Sequence, residues 1–293
     1  MTAFTLGILG GLGTGAVWAT ISILVRSLSG RFPVVAITVA RSFLGGTLVL
    51  VLAVALGHGG EIVRMPLWVV LTLWASMLLA MGLGDTLFFA SMEYLGVTRA
   101  LTLSMVNPLL TTLVGVGVLG ERVSPLATIG ILLVVAGLAL LVSGKTESAE
   151  RRRAVRRGTR MVFVAACCWG SAAILMKPAL RVASVVAAAA IRIPIAGIFL
   201  CLTPWMRGTL PVLRKITREE RTRLAIICAL SAGGSLLFTT GIKYGGVAVG
   251  NVLASTSPLF ALPFEIWVLR QPQSVQTICG ALVTVSGIVL LNL

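Results

Sequence analysis

The feature that most constrains this chain is that residues 94–141 occur twice. Tyr94, Gly96, Pro108, Leu109, Ser124, Gly130, Gly137 and Leu141 all recur 150 positions later, as Tyr244, Gly246, Pro258, Leu259, Ser274, Gly280, Gly287 and Leu291, with no gap between them. Upstream the match continues at an offset of 151, where Trp18 pairs with Trp169 and Arg41 with Arg192. The chain is a tandem duplication, and any fold proposed for it must be built from two copies of one unit.

That unit is apolar. Of the 293 residues 57% are hydrophobic and only 11% charged, against about 25% charged in soluble domains, and the mean hydropathy is +1.03. About 20 apolar residues cross a bilayer core, and stretches of that length recur about ten times here. The formal net charge of +15 would suggest nucleic acid in a soluble protein. In an apolar chain it is the mark of basic cytoplasmic loops instead, so no nucleic-acid partner is expected. Cys167, Cys168, Cys201, Cys228 and Cys279 lie in hydrophobic runs without CxxC spacing, which suits packing rather than disulfides or metal. His58 is the only histidine, so no His-based metal cluster and no cofactor is expected. The start, Met-Thr-Ala-Phe, has no basic n-region, so it is expected to open the first membrane helix rather than a cleaved signal peptide.

A family resemblance sits inside the repeat. Pro108-Leu109-Leu110, then Leu119-Gly120-Glu121-Arg122-Val123-Ser124, then Gly130 and Ala136-Gly137 resemble the signature of the EamA domain of the drug/metabolite transporter superfamily. The second copy departs from it, with Arg270-Gln271 where Gly120-Glu121 would stand, so a role for that glutamate does not carry over to both halves. The resemblance implies an all-α integral membrane protein of ten transmembrane helices in two inverted five-helix repeats. The first repeat covers residues 1–144, a basic linker residues 145–160, and the second repeat residues 161–293. An odd helix number per copy turns the second half upside down, the architecture of alternating-access transporters whose substrate meets the halves near the midplane. In similar transporters helices 1, 3, 4, 6, 8 and 9 surround the central cavity.

Along the chain, helix 1 is expected over residues 4–24, with Gly7, Gly11 and Gly15 forming a small-residue face for close helix approach. Helix 2 (34–56) carries Arg41, helix 3 (67–94) carries Asp85, and helix 4 (100–119) carries Asn107-Pro108. Helix 6 (161–176) holds Trp169, helix 7 (183–204) holds Arg192, and helix 9 (247–269) holds Asn251, Pro258 and Glu265. A mid-helix proline frees a carbonyl that a membrane helix tolerates beside a cavity or a neighbour.

A charge at a helix centre costs about 2.5–3.5 kcal/mol on insertion scales, so each one needs a reason. Arg41 and Arg192 suit either ion pairing or snorkelling. Asp85 and Glu265 are too short to snorkel and point to a wet cavity. Asn107 and Asn251 fit either a site or helix–helix hydrogen bonding. Trp18 and Trp169, placed near the C-terminal ends of their helices, fit either interface anchoring or a cavity border. Glu121 beside Arg122 suits a structural role at a hairpin, and Pro108, Pro258, Gly130 and Gly280 belong to the structural motif. Helices 1 and 6 contain no acid, whereas related small multidrug exporters use one there to exchange protons for lipophilic cations. Arginines mixed with carboxylates suit an amino-acid-like zwitterion or a small organic anion, with protons as a possible coupling ion.

The function expected is a secondary transporter, in the direction of efflux. A membrane enzyme on lipid-linked substrates would need clustered catalytic groups, and the acids are dispersed with no histidine beside them. A channel or receptor is the other alternative. Arg26, Arg31, Arg99, the linker residues, the basic residues between Arg207 and Arg223, and Arg270 fall on one side of the membrane; Arg64, Arg122, Lys177, Arg181 and Lys243 fall on the other. The positive-inside rule then puts the linker in the cytoplasm and both termini outside.

Overall fold

The computed structural model of the protein describes residues 2–107, 109–110, 125–142, 149–204, 216–264, 266 and 274–291. Pro108, Glu121 and Glu265 lie outside the described residues. Every regular element among those described is helical: α1 Ala3–Ser29, α2 Val34–Ala55, α3 Gly59–Val63, α4 Leu67–Leu95, α5 Val97–Ser104, α6 Pro125–Val142, α7 Ala149–Ala179, α8 Val185–Leu202, α9 Arg218–Ala254, α10 Ser257–Pro263 and α11 Val275–Leu291. Among the described residues six segments are long and apolar enough to cross a membrane: α1, α2, α4, α7, α8 and the Arg218–Val247 part of α9. Their outer faces expose Leu44, Leu48, Val51, Trp68 and Leu71, while the buried Ala187–Ala190 run of α8 lets its neighbours in close.

The repeat is written into the backbone. Gly96 between α4 and α5 has φ 78°, ψ 169°, and its copy Gly246 within α9 has φ 81°, ψ 166°. Positive φ of this kind is open to glycine alone at no steric cost, so each copy makes the same corner. The packing of α6 on α11 is reciprocal as well. A Cβ on Gly137 would fall 2.8 Å from the Gly280 carbonyl oxygen, and a Cβ on Gly287 would fall 2.7 Å from the Gly130 carbonyl oxygen. Gly130 and Gly280 therefore act as backbone contact points between the two copies.

Two further crossings set the level of the central cavity. On α1, a Cβ at Gly10 would sit 2.7 Å from the Leu237 carbonyl oxygen and 2.8 Å from the Gly241 amide nitrogen of α9, so the two backbones touch. On α2, the Ser42 hydroxyl donates to the Ile193 carbonyl of α8 at 2.5 Å and accepts the Gly197 amide at 2.7 Å. Beside it a Cβ on Gly46 would meet Pro194 Cγ at 2.8 Å. This knot holds Arg41 and Arg192 next to the point where α2 and α8 cross.

Several local expectations change. The linker expected over 145–160 is helix from Ala149 onward: alanine and arginine are strong helix formers, and Gly158 seats this extension against Tyr94 and Leu95. Trp18 and Trp169 are in mid-helix, not near helix ends, because α1 runs on to Ser29 and α7 to Ala179. Pro258 does not lie inside one continuous helix 9. The chain turns at Ser255 and Thr256, and Pro258 opens α10, the first-turn position where its missing N–H costs nothing. The first copy breaks at the corresponding place, after Ser104.

Candidate functional site

The helices surround a cavity of about 170 Å³ lined by residues of both copies. That is far more than a single water needs and is room for a small metabolite. Its walls include Trp18 of α1, Arg41 of α2, Asp85 of α4, Trp169 of α7, Arg192 of α8 and Asn251 of α9, together with Asn107 just beyond α5. Seven of the eight site residues picked from the sequence thus share one cavity, and Glu265 lies outside the described residues.

Asp85 reaches the cavity through an unusual backbone. Residues Leu78–Asp85, in the middle of α4, form a π-helix, a rare form frequently found at functional sites. Gly82 and Gly84 lie within it. Gly84 also makes room for a neighbour, since a Cβ there would lie 2.7 Å from the Trp169 indole nitrogen. That indole N–H donates to Asp85 Oδ1 at 2.9 Å and to the Ala80 carbonyl at 3.2 Å. Asp85 Oδ2 accepts from Arg41 Nη2, and the ion pair is enclosed, with the side chains 4% and 7% exposed for Arg41 and Asp85. The carboxylate is therefore shared between the copies, with the cation from the first and the indole from the second.

Arg41 is held by aromatic faces too. Its guanidinium carbon lies 5.5 Å from the Trp18 ring and 5.0 Å from the Phe89 ring, within cation–π range. Trp18 meets Trp169 edge to face at 5.5 Å, and Phe88 packs on both, at 5.8 Å from Trp18 and 5.0 Å from Trp169. These rings form the wall behind the ion pair and keep water off it, which strengthens the attraction.

Arg192 is different. It is 3% exposed and within electrostatic reach of Asp85, yet it makes no ion pair among the described residues. Its Nε is buried without an acceptor, as are Arg41 Nε and Nη1, while Asn107 Oδ1 and Asn251 Nδ2 are also unpartnered. Buried polar atoms are nearly always satisfied. These unused donors, on two arginines and an asparagine, with one unused acceptor, can take up a polar group carrying negative charge. Among the described residues no group of histidine, cysteine and carboxylate side chains could hold a metal ion.

The sequence reading missed the hydroxyl groups on the wall: Thr14, Ser104, Ser231, Ser235, Ser255 and Ser257. One signal was available. Ser235 is the 150-residue counterpart of Asp85, so extending the repeat through helix 3 would have found it.

Comparison with known proteins agrees with this architecture. The pattern of the EamA-like transporter family matches residues 5–143 and again residues 156–293. The protein named "Uncharacterized inner membrane transporter YhbE" of Escherichia coli (strain K12) is 27% identical over 135 residues, 45% of this chain and 42% of that protein. Its namesakes in Escherichia coli O157:H7 and Shigella flexneri match equally. The match therefore spans less than half the length of these curated relatives. A solved crystal structure at 17% identity superimposes with a TM-score of 0.71 over 98% of this chain and 97% of its own, a likeness of fold alone. With both copies matched, the chain belongs to the EamA-like transporter family.

Proposed function

We propose that the protein is a secondary transporter of the inner membrane that carries a small metabolite bearing a carboxylate, an amino-acid-like zwitterion or an organic anion, by alternating access. The observation that carries this reading is Arg192, a buried cation with no ion pair among the described residues, on the wall of a cavity that both copies line. An unpaired buried charge is costly, and a ligand that neutralises it recovers that cost on binding.

In this reading the fold is ten membrane helices in two inverted five-helix halves. The reciprocal Gly137–Gly280 and Gly287–Gly130 approaches support it, because contact of residue i with j' and of i' with j is what a two-fold relation produces. Export is the direction we infer. A net negative substrate leaving a cell with an inside-negative potential moves downhill, by about 2.3 kcal/mol per charge per 100 mV. Asp85 is the group through which protons would couple, since neutralising it releases Arg41. The basic side, including the helical extension of α7, faces the cytoplasm, with both termini outside.

Counterflow in proteoliposomes tests the carrier. Labelled small carboxylates are expected to show saturable uptake that is accelerated by unlabelled substrate inside. Flux rising linearly with concentration, without acceleration, would establish a channel instead. A rate constant across about pH 5.5 to 8, in parent and Asp85→Asn alike, would remove the proton role.

A further inference from the structure

The cavity is asymmetric in a way that the repeat makes legible. At the 150-residue offset Gly84, Asp85 and Phe88 correspond to Gly234, Ser235 and Phe238, and these three line the same cavity. At the 151-residue offset Arg41 corresponds to Arg192 and Trp18 to Trp169. In the first half the Asp85 carboxylate is held by Arg41 of its own copy and by the Trp169 indole N–H of the other. The counterpart pair is Arg192 and Trp18, both on the cavity wall. The third member is missing: the chain carries a serine hydroxymethyl where the first half has a carboxymethyl.

Both counterpart groups keep an unused hydrogen-bond donor among the described residues. Arg192 has no ion pair among the described residues, its Nε has no acceptor, and the Trp18 indole N–H makes no hydrogen bond among the described residues, unlike that of Trp169. The atoms absent from this half are those of a carboxylate.

We infer that the substrate's carboxylate completes the second half, binding between Arg192 and the Trp18 indole N–H beside Ser235, in the repeat-related copy of the place that Asp85 fills. The inference rests on the reading of the protein as a carrier of small carboxylates. It adds the subsite and the charge class. Because Asp85 occupies Arg41, the cavity offers one vacant cationic position. The substrate is a monocarboxylate, and a dicarboxylate brings a second charge that finds no partner.

Binding to the full chain in nanodiscs, read by saturation-transfer NMR, tests this with three probes of similar size: butyrate and 2-aminobutyrate, with one carboxylate each, and succinate, with two. The parent is expected to bind at least one monocarboxylate about tenfold more tightly than succinate, the scale of one charge-assisted hydrogen bond. Ser235→Asp supplies the missing carboxylate from within, so monocarboxylate binding should be lost while the thermal midpoint rises. Trp18→Phe keeps an aromatic face and removes the N–H, and should weaken binding by about tenfold. Asp85→Ser makes the first half like the second and should bring succinate up to the monocarboxylates; if that variant does not fold, the Ser235→Asp and Trp18→Phe arms decide. A Ser235→Asp variant that binds monocarboxylates as the parent does, or a Trp18→Phe variant without effect, overturns the inference and leaves the carrier reading standing. A parent that neither binds nor transports any carboxylate overturns both.

Discussion

Neutralising Asp85 should be more damaging than its single side chain suggests, because it strands Arg41. Asp85→Asn preserves the shape and an acceptor for the Trp169 indole, but removes the only counter-charge, among the described residues, of a guanidinium whose Nε and Nη1 already lack partners. Breaking a buried ion pair from one side costs about 3–5 kcal/mol. Stacking on Trp18 and Phe89 remains and retains about 0.5–2 kcal/mol, which puts the loss near the lower bound, about 3 kcal/mol. At about 2–4 °C per kcal/mol for chains of 150–250 residues, the thermal midpoint should fall by roughly 6–12 °C. Adding Arg41→Met removes the stranded charge and fills its place with an apolar side chain, so the double variant should regain most of the loss. The assay is the temperature at which half the monodisperse peak is lost on size exclusion of detergent-solubilised protein; with irreversible unfolding, the rank order is the result. A double variant whose loss equals the sum of the two single losses would show that the pair is not coupled and refute the reasoning. Transport by Asp85→Asn should fall as well, with membrane insertion intact.

Gly84→Ala should loosen the junction between the copies, since its Cβ would fall 2.7 Å from the Trp169 indole nitrogen; tryptophan near-UV dichroism should change and transport drop severalfold, and an unchanged spectrum would contradict the packing. Outside the membrane, Glu61 binds the Ser184 amide at 2.6 Å and its hydroxyl at 2.7 Å and faces His58. Burial alone would raise its carboxyl, but the Ser184 hydrogen bonds and His58 together hold it below the ordinary value of 4.5. A depressed carboxylate contributes stability that is present above 4.5 and is lost as pH falls through its lowered folded value. The parent should therefore lose its advantage over Glu61→Gln only below that value, and equal midpoints of the two at neutral pH would show that the contact contributes nothing. For orientation, a cysteine at exposed Glu150 in a background lacking the five native cysteines should resist a membrane-impermeant thiol reagent in intact cells; labelling there would invert the topology.

What can be read from the sequence depends on whether a property is carried by residue type or by chain geometry. The expense of a charge in a membrane span follows from type, so Arg41, Asp85 and Arg192 stand out from the sequence alone, and the repeat pairs Trp18 with Trp169. Helix limits do not follow from hydropathy. The Arg-rich stretch at 149–160 has no apolar periodicity yet continues α7, because propensity and one glycine contact with Tyr94 and Leu95 suffice. The π-helical Leu78–Asp85 segment has no sequence signature that separates it from ordinary glycine-containing helix. The turn before Pro258 escapes a sequence reading, since a proline within a helix and a proline opening one have the same one-letter neighbourhood.

Ser235 shows the deeper limit. Weighing each polar residue by its own cost draws attention to charges and passes over a serine, whose insertion is cheap. Its importance comes from what its counterpart is. Duplication supplies two arginines and two tryptophans at matching places, and an acid in both halves would satisfy each arginine and leave no demand for a ligand. An acid in neither half would leave two cations sharing one small cavity, repelling each other across a medium of low dielectric. One aspartate and one serine is the arrangement that leaves a single cation, among the described residues, without an ion pair while the other is neutralised. If that asymmetry is what creates the site, exchanging the two residues (Asp85→Ser with Ser235→Asp) should preserve monocarboxylate binding with the halves' roles reversed, whereas Ser235→Asp alone should abolish it. An exchanged protein that folds as a monodisperse species but binds no monocarboxylate would show that the position of the vacancy, and not the count of charges, governs recognition.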